Sequence, residues 1–220
     1  MNNQPEPRAS EERDIHLKQK RVDAWDVALA ATGVATAVLL PYYHALPKKD
    51  AIHATNTPES YLIDTPNRTD LQPKTECAAF SSAYVLRHLG VEADGQELYK
   101  GFPRKLLDGT VDPRGILVLF RRMGYKASFY RGNIETLKKR VSLGVPVIAF
   151  IKVFPDKRYA HFAPVVGYDR EHLYLAESLK HKTNSRESGY NRKLPISELE
   201  KLWRTNPFYK QSYIVVEGKA

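Results

Sequence analysis

Residues 72–90 read QPKTECAAFSSAYVLRHLG. The first five are polar. Beyond them Ala79, Phe80, Ala83, Tyr84 and Leu86 fall at helical spacing, and Gly90 supplies a C-terminal stop. The reading is a helix over 77–89 that opens at Cys77. A helix start leaves backbone N–H groups unpaired and carries partial positive charge. Both bias a thiol toward thiolate, which is the nucleophilic form. Cys77 is the chain's one cysteine, which excludes an intramolecular disulfide and a Cys-based zinc site. Taken alone it leaves a second reading open, since a single cysteine is commonly a small buried apolar residue.

Outward from this helix the pattern is mixed. Residues 115–123 and 134–143 read as short helices, the second capped by Asn133. Residues 125–130 (YKASFY) form a short aromatic strand. Residues 145–153 (VPVIAFIKV) are a continuous apolar run, as expected of a strand buried on both faces. Residues 161–168 and 172–176 make a hairpin over Asp169–Arg170. Ser197 and Glu200 stand at capping-box spacing and start a helix over 198–203. Residues 212–217 (SYIVVE) close the pattern as a strand. Helices first and an antiparallel sheet second make an α+β layout.

A nucleophilic cysteine needs a base within hydrogen-bond reach. Of the seven histidines, His88 is three helical turns from Cys77 and cannot serve. His16, His44 and His53 lie in the tail, the apolar run and the segment after it. His172 and His181 sit in turn or polar contexts. His161 begins an apolar strand directly after a loop, a position from which a side chain can enter a cleft. The ring also needs an orienting acceptor. Glu177 ends the second hairpin strand, and 161 and 177 are symmetric about 169, with Ser178 as the nearest alternative. Gln72, five residues before Cys77, can donate to a developing oxyanion together with the Cys77 N–H.

The stretches QPKTECAAFSSAYVLRHLG, GVPVIAFIKV, HFAPVVGYDREHLYLAES and PISELEKLW together resemble the C39-like branch of the papain-like cysteine peptidases, over roughly residues 70–217. The resemblance implies a papain-like α+β fold, with Cys77 as nucleophile and His161 as general base. It implies an acidic partner at Glu177 and an oxyanion donor at Gln72. Three features depart from the family pattern. Glu177 replaces the usual Asp or Asn, Ala78 replaces a frequent Gly, and Gln72 lies one residue nearer the cysteine than is common. The best-known members are fused to ABC transporters and cut leader peptides after a double Gly. This sequence has no P-loop, so that substrate is not carried over. A peptide or protein substrate is expected, with no cofactor and no metal.

Composition bounds the rest. The 220 residues, 42% hydrophobic and 27% charged, suit one globular domain plus a tail. The formal charge of +9 permits an anionic partner without selecting one. Residues 1–23 are a polar tail. Residues 27–47 (VALAATGVATAVLLPYYHALP) contain no Asp, Glu, Lys or Arg, and about 20 apolar residues span a bilayer. Trp25, Tyr42 and Tyr43 sit at its ends, so residues 24–46 are expected to be a transmembrane anchor, with a cleaved signal peptide or a buried Ala-rich helix as the alternatives. Lys18, Lys20 and Arg21 would keep the N-terminus cytoplasmic and the domain outside. Residues 47–69 read as a linker and 70–220 as the peptidase-like domain. Two other functions fit the same residues. One is an acyltransferase using the same thiol. The other, motivated by Glu177 and Ala78, is a degenerate, non-enzymatic and membrane-anchored protein that binds peptides or an anionic surface, its basic clusters at 121–126, 138–140, Lys180, Lys182, Arg186, Arg192 and Lys193 facing lipid headgroups. No nucleic-acid motif is present, and no such partner is expected.

Overall fold

A computed structural model of the protein describes residues 24–43 and 45–219. The polar tail at 1–23 and His44 lie outside the described residues. The elements are α1 (Ala24–Tyr43), β1 (Lys48–Lys49), β2 (Tyr61–Leu62), α2 (Cys77–His88), α3 (Gly95–Lys100), α4 (Pro113–Arg122), β3 (Tyr125–Arg131), α5 (Ile134–Val141), β4 (Val147–Lys152), β5 (Ala160–Tyr168), β6 (His172–Leu175), β7 (Arg192–Pro195), α6 (Ile196–Leu202) and β8 (Ser212–Lys219). The strands form one sheet in the order β1-β3-β8-β4-β5-β6-β7, with β2 beside β5. β1 runs parallel to β3, and the other pairs are antiparallel.

Side chains alternate across a strand, so a strand that is apolar throughout has a core on each face. β4 does this. Val147, Ala149 and Ile151 enter one core with Leu137 and Val141 of α5 and Leu199 and Leu202 of α6. Ile148 and Phe150 enter the other, with Ala78, Ala79, Val85 and Leu86 of α2 and Ile116 and Phe120 of α4. The expected both-faces burial of 145–153 is borne out.

Local chemistry starts three of the helices. Asp94 accepts from the Gln96 and Glu97 N–H groups at the head of α3. Asp112 caps α4, with Pro113 following it. Asn133 and Thr136 form a reciprocal capping box on α5. The box expected from Ser197 and Glu200 does not form. α6 starts at Ile196, directly out of β7 and behind Pro195, with no side-chain cap bond. The Ile196 N–H goes instead to the Glu171 carbonyl at 2.8 Å.

Two expectations about organisation are corrected. Residues 47–69 are not a free linker. Asp50 is buried and takes a bidentate ion pair from Arg140 at 2.8 and 2.9 Å, and a hydrogen bond from the Tyr213 hydroxyl at 2.7 Å. Ile63 is buried in the α5/α6 core. The chain divides into two units between residues 42 and 43. The 20-residue helix α1 lies in the first except for its last residue, but no helix among the described residues is long and apolar enough to cross a membrane. The centre of α1 reads LAATGVATA (29–37), where Ala, Gly and Thr bring far less apolar surface than Leu or Ile. The transmembrane span expected over 24–46 is therefore not borne out, and the expected orientation depended on it.

Candidate active site

The site forms where the start of α2 meets the start of β5. Ser81, one helical turn beyond Cys77 on the same face, donates to the Phe162 carbonyl at 2.9 Å from a buried position. That bond pins α2 to the residue following His161. It brings the Cys77 thiol within hydrogen-bonding reach of the imidazole. Both side chains are buried, Cys77 at 8% and His161 at 2% exposure. Cys77 is the first residue of α2, and no acceptor among the described residues takes its backbone N–H.

Glu177 lies on the far side of the ring. Its Oε1 is 2.7 Å from His161 Nε2 and accepts the Leu179 N–H at 2.8 Å. Its Oε2 accepts from Arg192 Nη1 at 2.9 Å. The Glu177 backbone is held on both sides by one residue. Asn191 Oδ1 accepts its N–H at 2.7 Å, and Asn191 Nδ2 donates to its carbonyl at 2.8 Å. With Nε2 engaged by Glu177, Nδ1 is the ring nitrogen left for Cys77. Burial alone would push the imidazole down. The Glu177 charge and the hydrogen bonds with Cys77 and Glu177 reverse this and raise its pKa. Burial alone would raise the Glu177 carboxyl, yet His161, Leu179 and Arg192 bring it below its ordinary range. Both directions favour an imidazolium–carboxylate pair.

Gln72 lines the same cleft. The Ser178 hydroxyl donates to its Oε1 at 2.6 Å, and its Nε2 donates to the Lys74 carbonyl at 2.7 Å. The Gln72 N–H also reaches the Ser178 carbonyl at 2.9 Å. The amide is thus fixed with its oxygen on Ser178. One of its two N–H groups remains for a ligand. Ser178, named from sequence as the alternative acceptor for the ring, holds Gln72 instead. The cleft, about 430 Å³, is walled by residues 106–113 on one side and by Val153, Arg158 and Tyr159 of the β4–β5 loop on another, with Phe150, Phe162 and Tyr209 as further lining.

The hairpin reading located Glu177 correctly but not its path. β5 and β6 pair Tyr168 with Leu173 and Gly167 with Tyr174, and then Val165 with Leu175 across an irregularity. The Ala176 N–H donates to the Pro164 carbonyl at 2.9 Å, so residue 177 is not straight across from His161. The Glu177 side chain still meets the ring, with Oε1 2.7 Å from Nε2. Ala78 does not crowd the cleft: it is fully buried in the α2/α4 core.

A model of the peptidase C39 family matches residues 69–207. The chain belongs to the peptidase C39 family. Solved structures agree in fold. A protein described as a C39-like peptidase from Bacillus anthracis aligns at TM-score 0.58 and 19% identity, covering 74% of this chain and 100% of that one. Xylellain, a cysteine protease from Xylella fastidiosa, aligns at 0.56 and 14%, covering 79% and 92%. A double glycine motif protease from an AMS/PCAT transporter, solved with its leader peptide, aligns at 0.51 and 17%, covering 72% and 98%. No curated protein matches this chain. Family and fold support a cysteine peptidase-like function.

Sequence reading missed Arg192 and Asn191 in this C39 site. Arg192 was grouped with surface cations facing lipid headgroups. It is 4% exposed and bonded to Glu177, which corrects that assignment. The available signal was its phase with Leu194. Both point inward on β7, where Lys193 does not.

Proposed function

We propose that this C39 family member is a thiol peptidase working through an acyl-Cys77 intermediate. The carrying observation is the buried His161 ring, held by Glu177 on Nε2 with the Cys77 thiol within reach. Cys77 reacts as the thiolate, with His161 taking its proton. The thiolate sulfur attacks the peptide carbonyl carbon, and the carbonyl π electrons move onto oxygen. The Cys77 N–H and the Gln72 amide N–H then donate to that oxyanion. His161 passes its proton to the departing amide nitrogen as the C–N bond breaks, which leaves a thioester. Water attacks the thioester carbonyl while His161 takes its proton. The C–S bond then breaks, releasing a carboxylic acid and restoring the thiolate. Glu177 holds the ring orientation and the imidazolium throughout.

A peptide as substrate is supported by the family and by the leader peptide held by the AMS/PCAT transporter protease. Incubating the protein with a degenerate peptide mixture and sequencing the products by mass spectrometry tests the reading. Cys77→Ala should abolish cleavage while the circular dichroism spectrum is unchanged. Cleavage at full rate by Cys77→Ala would end the proposal. Adding an amine acceptor and looking for the corresponding amide separates hydrolysis from acyl transfer.

A further inference from the structure

Beyond the expected residues, the site carries a buried cation that the reaction above does not use. Arg192 opens β7 and is 4% exposed, and Glu177, which it contacts, is fully buried. Its Nη1 donates to Glu177 Oε2 at 2.9 Å, leaving Oε1 for His161 Nε2 and the Leu179 N–H. Cys77, His161, Glu177 and Arg192 thus form one buried chain across α2, β5, the segment after β6, and β7. We propose that Arg192, acting through Glu177, is a positioning residue that orients and electrically balances the thiol–imidazole pair. The proposal rests on the reading of Cys77 and His161 as the reacting pair.

The argument is one of charge and of geometry. With thiolate, imidazolium, carboxylate and guanidinium in place, the chain sums to zero. Without the guanidinium it carries a net negative charge on side chains that are more than nine-tenths buried, which is costly. Arg192 also occupies the second carboxylate oxygen, so the carboxylate cannot turn away from the ring. A planar guanidinium suits this because it keeps its charge on burial. Lys74, Asp108, Asp112 and Arg158 line the cleft with Cys77 and His161. Glu198 of α6 lies 3.7 Å from Arg192 Nη2 but is half exposed. Lys182, in the 3-10 turn Lys180–Lys182, senses Arg192, Glu198 and Glu177.

A buried cation favours the thiolate over the thiol and the neutral imidazole over the imidazolium. Removing it therefore moves both limbs of the ion-pair titration to higher pH, by about one unit for a charge acting through an intervening carboxylate. A residue needed only for folding would change the amount of active protein without moving the limbs. The experiment is the pH dependence of Cys77 alkylation by iodoacetamide in the full chain. It compares wild type, Arg192→Met, Arg192→Gln and Arg192→Lys, with the fold followed by circular dichroism. Arg192→Gln keeps a donor for Glu177 without charge, and guards against loss of folding in the Met variant. The expected result is an upward shift in both uncharged variants and wild-type limbs in Arg192→Lys. Unshifted limbs in a folded uncharged variant overturn the role of Arg192, as does failure of both uncharged variants to fold. A wild-type profile with one ordinary thiol limb overturns the reacting pair itself, and so identifies that separate failure.

Discussion

Replacing Glu177 by Asp should damage the site, although Asp is the residue usual at this position in the resembled family. The backbone of residue 177 cannot advance toward the ring, because Asn191 holds both its N–H and its carbonyl, at 2.7 and 2.8 Å. Asp is shorter by one C–C bond, about 1.5 Å. The 2.7 Å contact to His161 would therefore open toward ~4 Å, outside hydrogen-bonding range. A hydrogen bond to a charged group contributes about 1.5–3 kcal/mol. At about 1.4 kcal/mol per tenfold, its loss predicts a fall in kcat of roughly 10- to 100-fold. The ring would remain present but poorly oriented, so KM should change little. The cavity left by one methylene costs about 1 kcal/mol of stability. The assay is peptide hydrolysis by Glu177→Asp, run beside Cys77 alkylation and urea unfolding. Wild-type kcat in a folded Glu177→Asp protein would refute the claim that the fixed backbone of residue 177 requires a side chain of glutamate length.

The remaining predictions are shorter. Gln72→Ala should lower kcat by roughly 10²-fold, the scale seen when one oxyanion donor is removed, with little change in Cys77 alkylation. An equal loss in alkylation would mean that Gln72 acts on the thiol and not on the oxyanion. Asp50→Asn should cost about 1.5–3 kcal/mol at neutral pH, since it removes the charge of the bidentate pair while the half-buried Arg140 keeps only Glu217, at 3.8 Å. Burial raises the Asp50 pKa, but Arg140, Tyr213 and Ile52 hold it below its ordinary value of 3.8. Its contribution is thus present above the unfolded-state value and lost as pH falls through the folded one. Urea midpoints across the acid range should fall for wild type there and stay flatter for Asp50→Asn. Parallel curves would remove Asp50 from acid sensitivity.

Elements whose signal is local and repeated were legible in the sequence. The helix at α2 followed from its apolar spacing and Gly90. The buried strand β4 followed from an unbroken apolar run, and the cap of α5 from Asn133. What escaped was set by contacts distant in the chain. β1 and β2 are two residues each, too short to show a period, and are strands because β3 and β5 offer them partners. α3 is six residues long. β7 reads RKLP, so half of its signal is charge, and its buried arginine is stable only against a carboxylate fifteen residues earlier. The spacing of Ser197 and Glu200 was right for a capping box. The helix began earlier because a strand delivered the chain into it.

The departures from the family pattern, read from sequence as grounds for a degenerate binder, change meaning when each is set in its surroundings. Ala78 would matter if its methyl stood in the cleft, but it packs into the α2/α4 core. Glu177 would matter if it failed to reach the ring, but its carboxylate meets Nε2 at 2.7 Å. Glu177 follows the end of β6, and its side chain spans the remaining distance to the ring. The shortened spacing of Gln72 would matter if it carried the amide away from the thiol. Ser178, the residue next to the acid, draws it back onto the same cleft through two hydrogen bonds. A buried carboxylate shared between an imidazole and a guanidinium seldom stabilises a fold over apolar packing, so its presence favours the thiol-peptidase proposal over the degenerate binder.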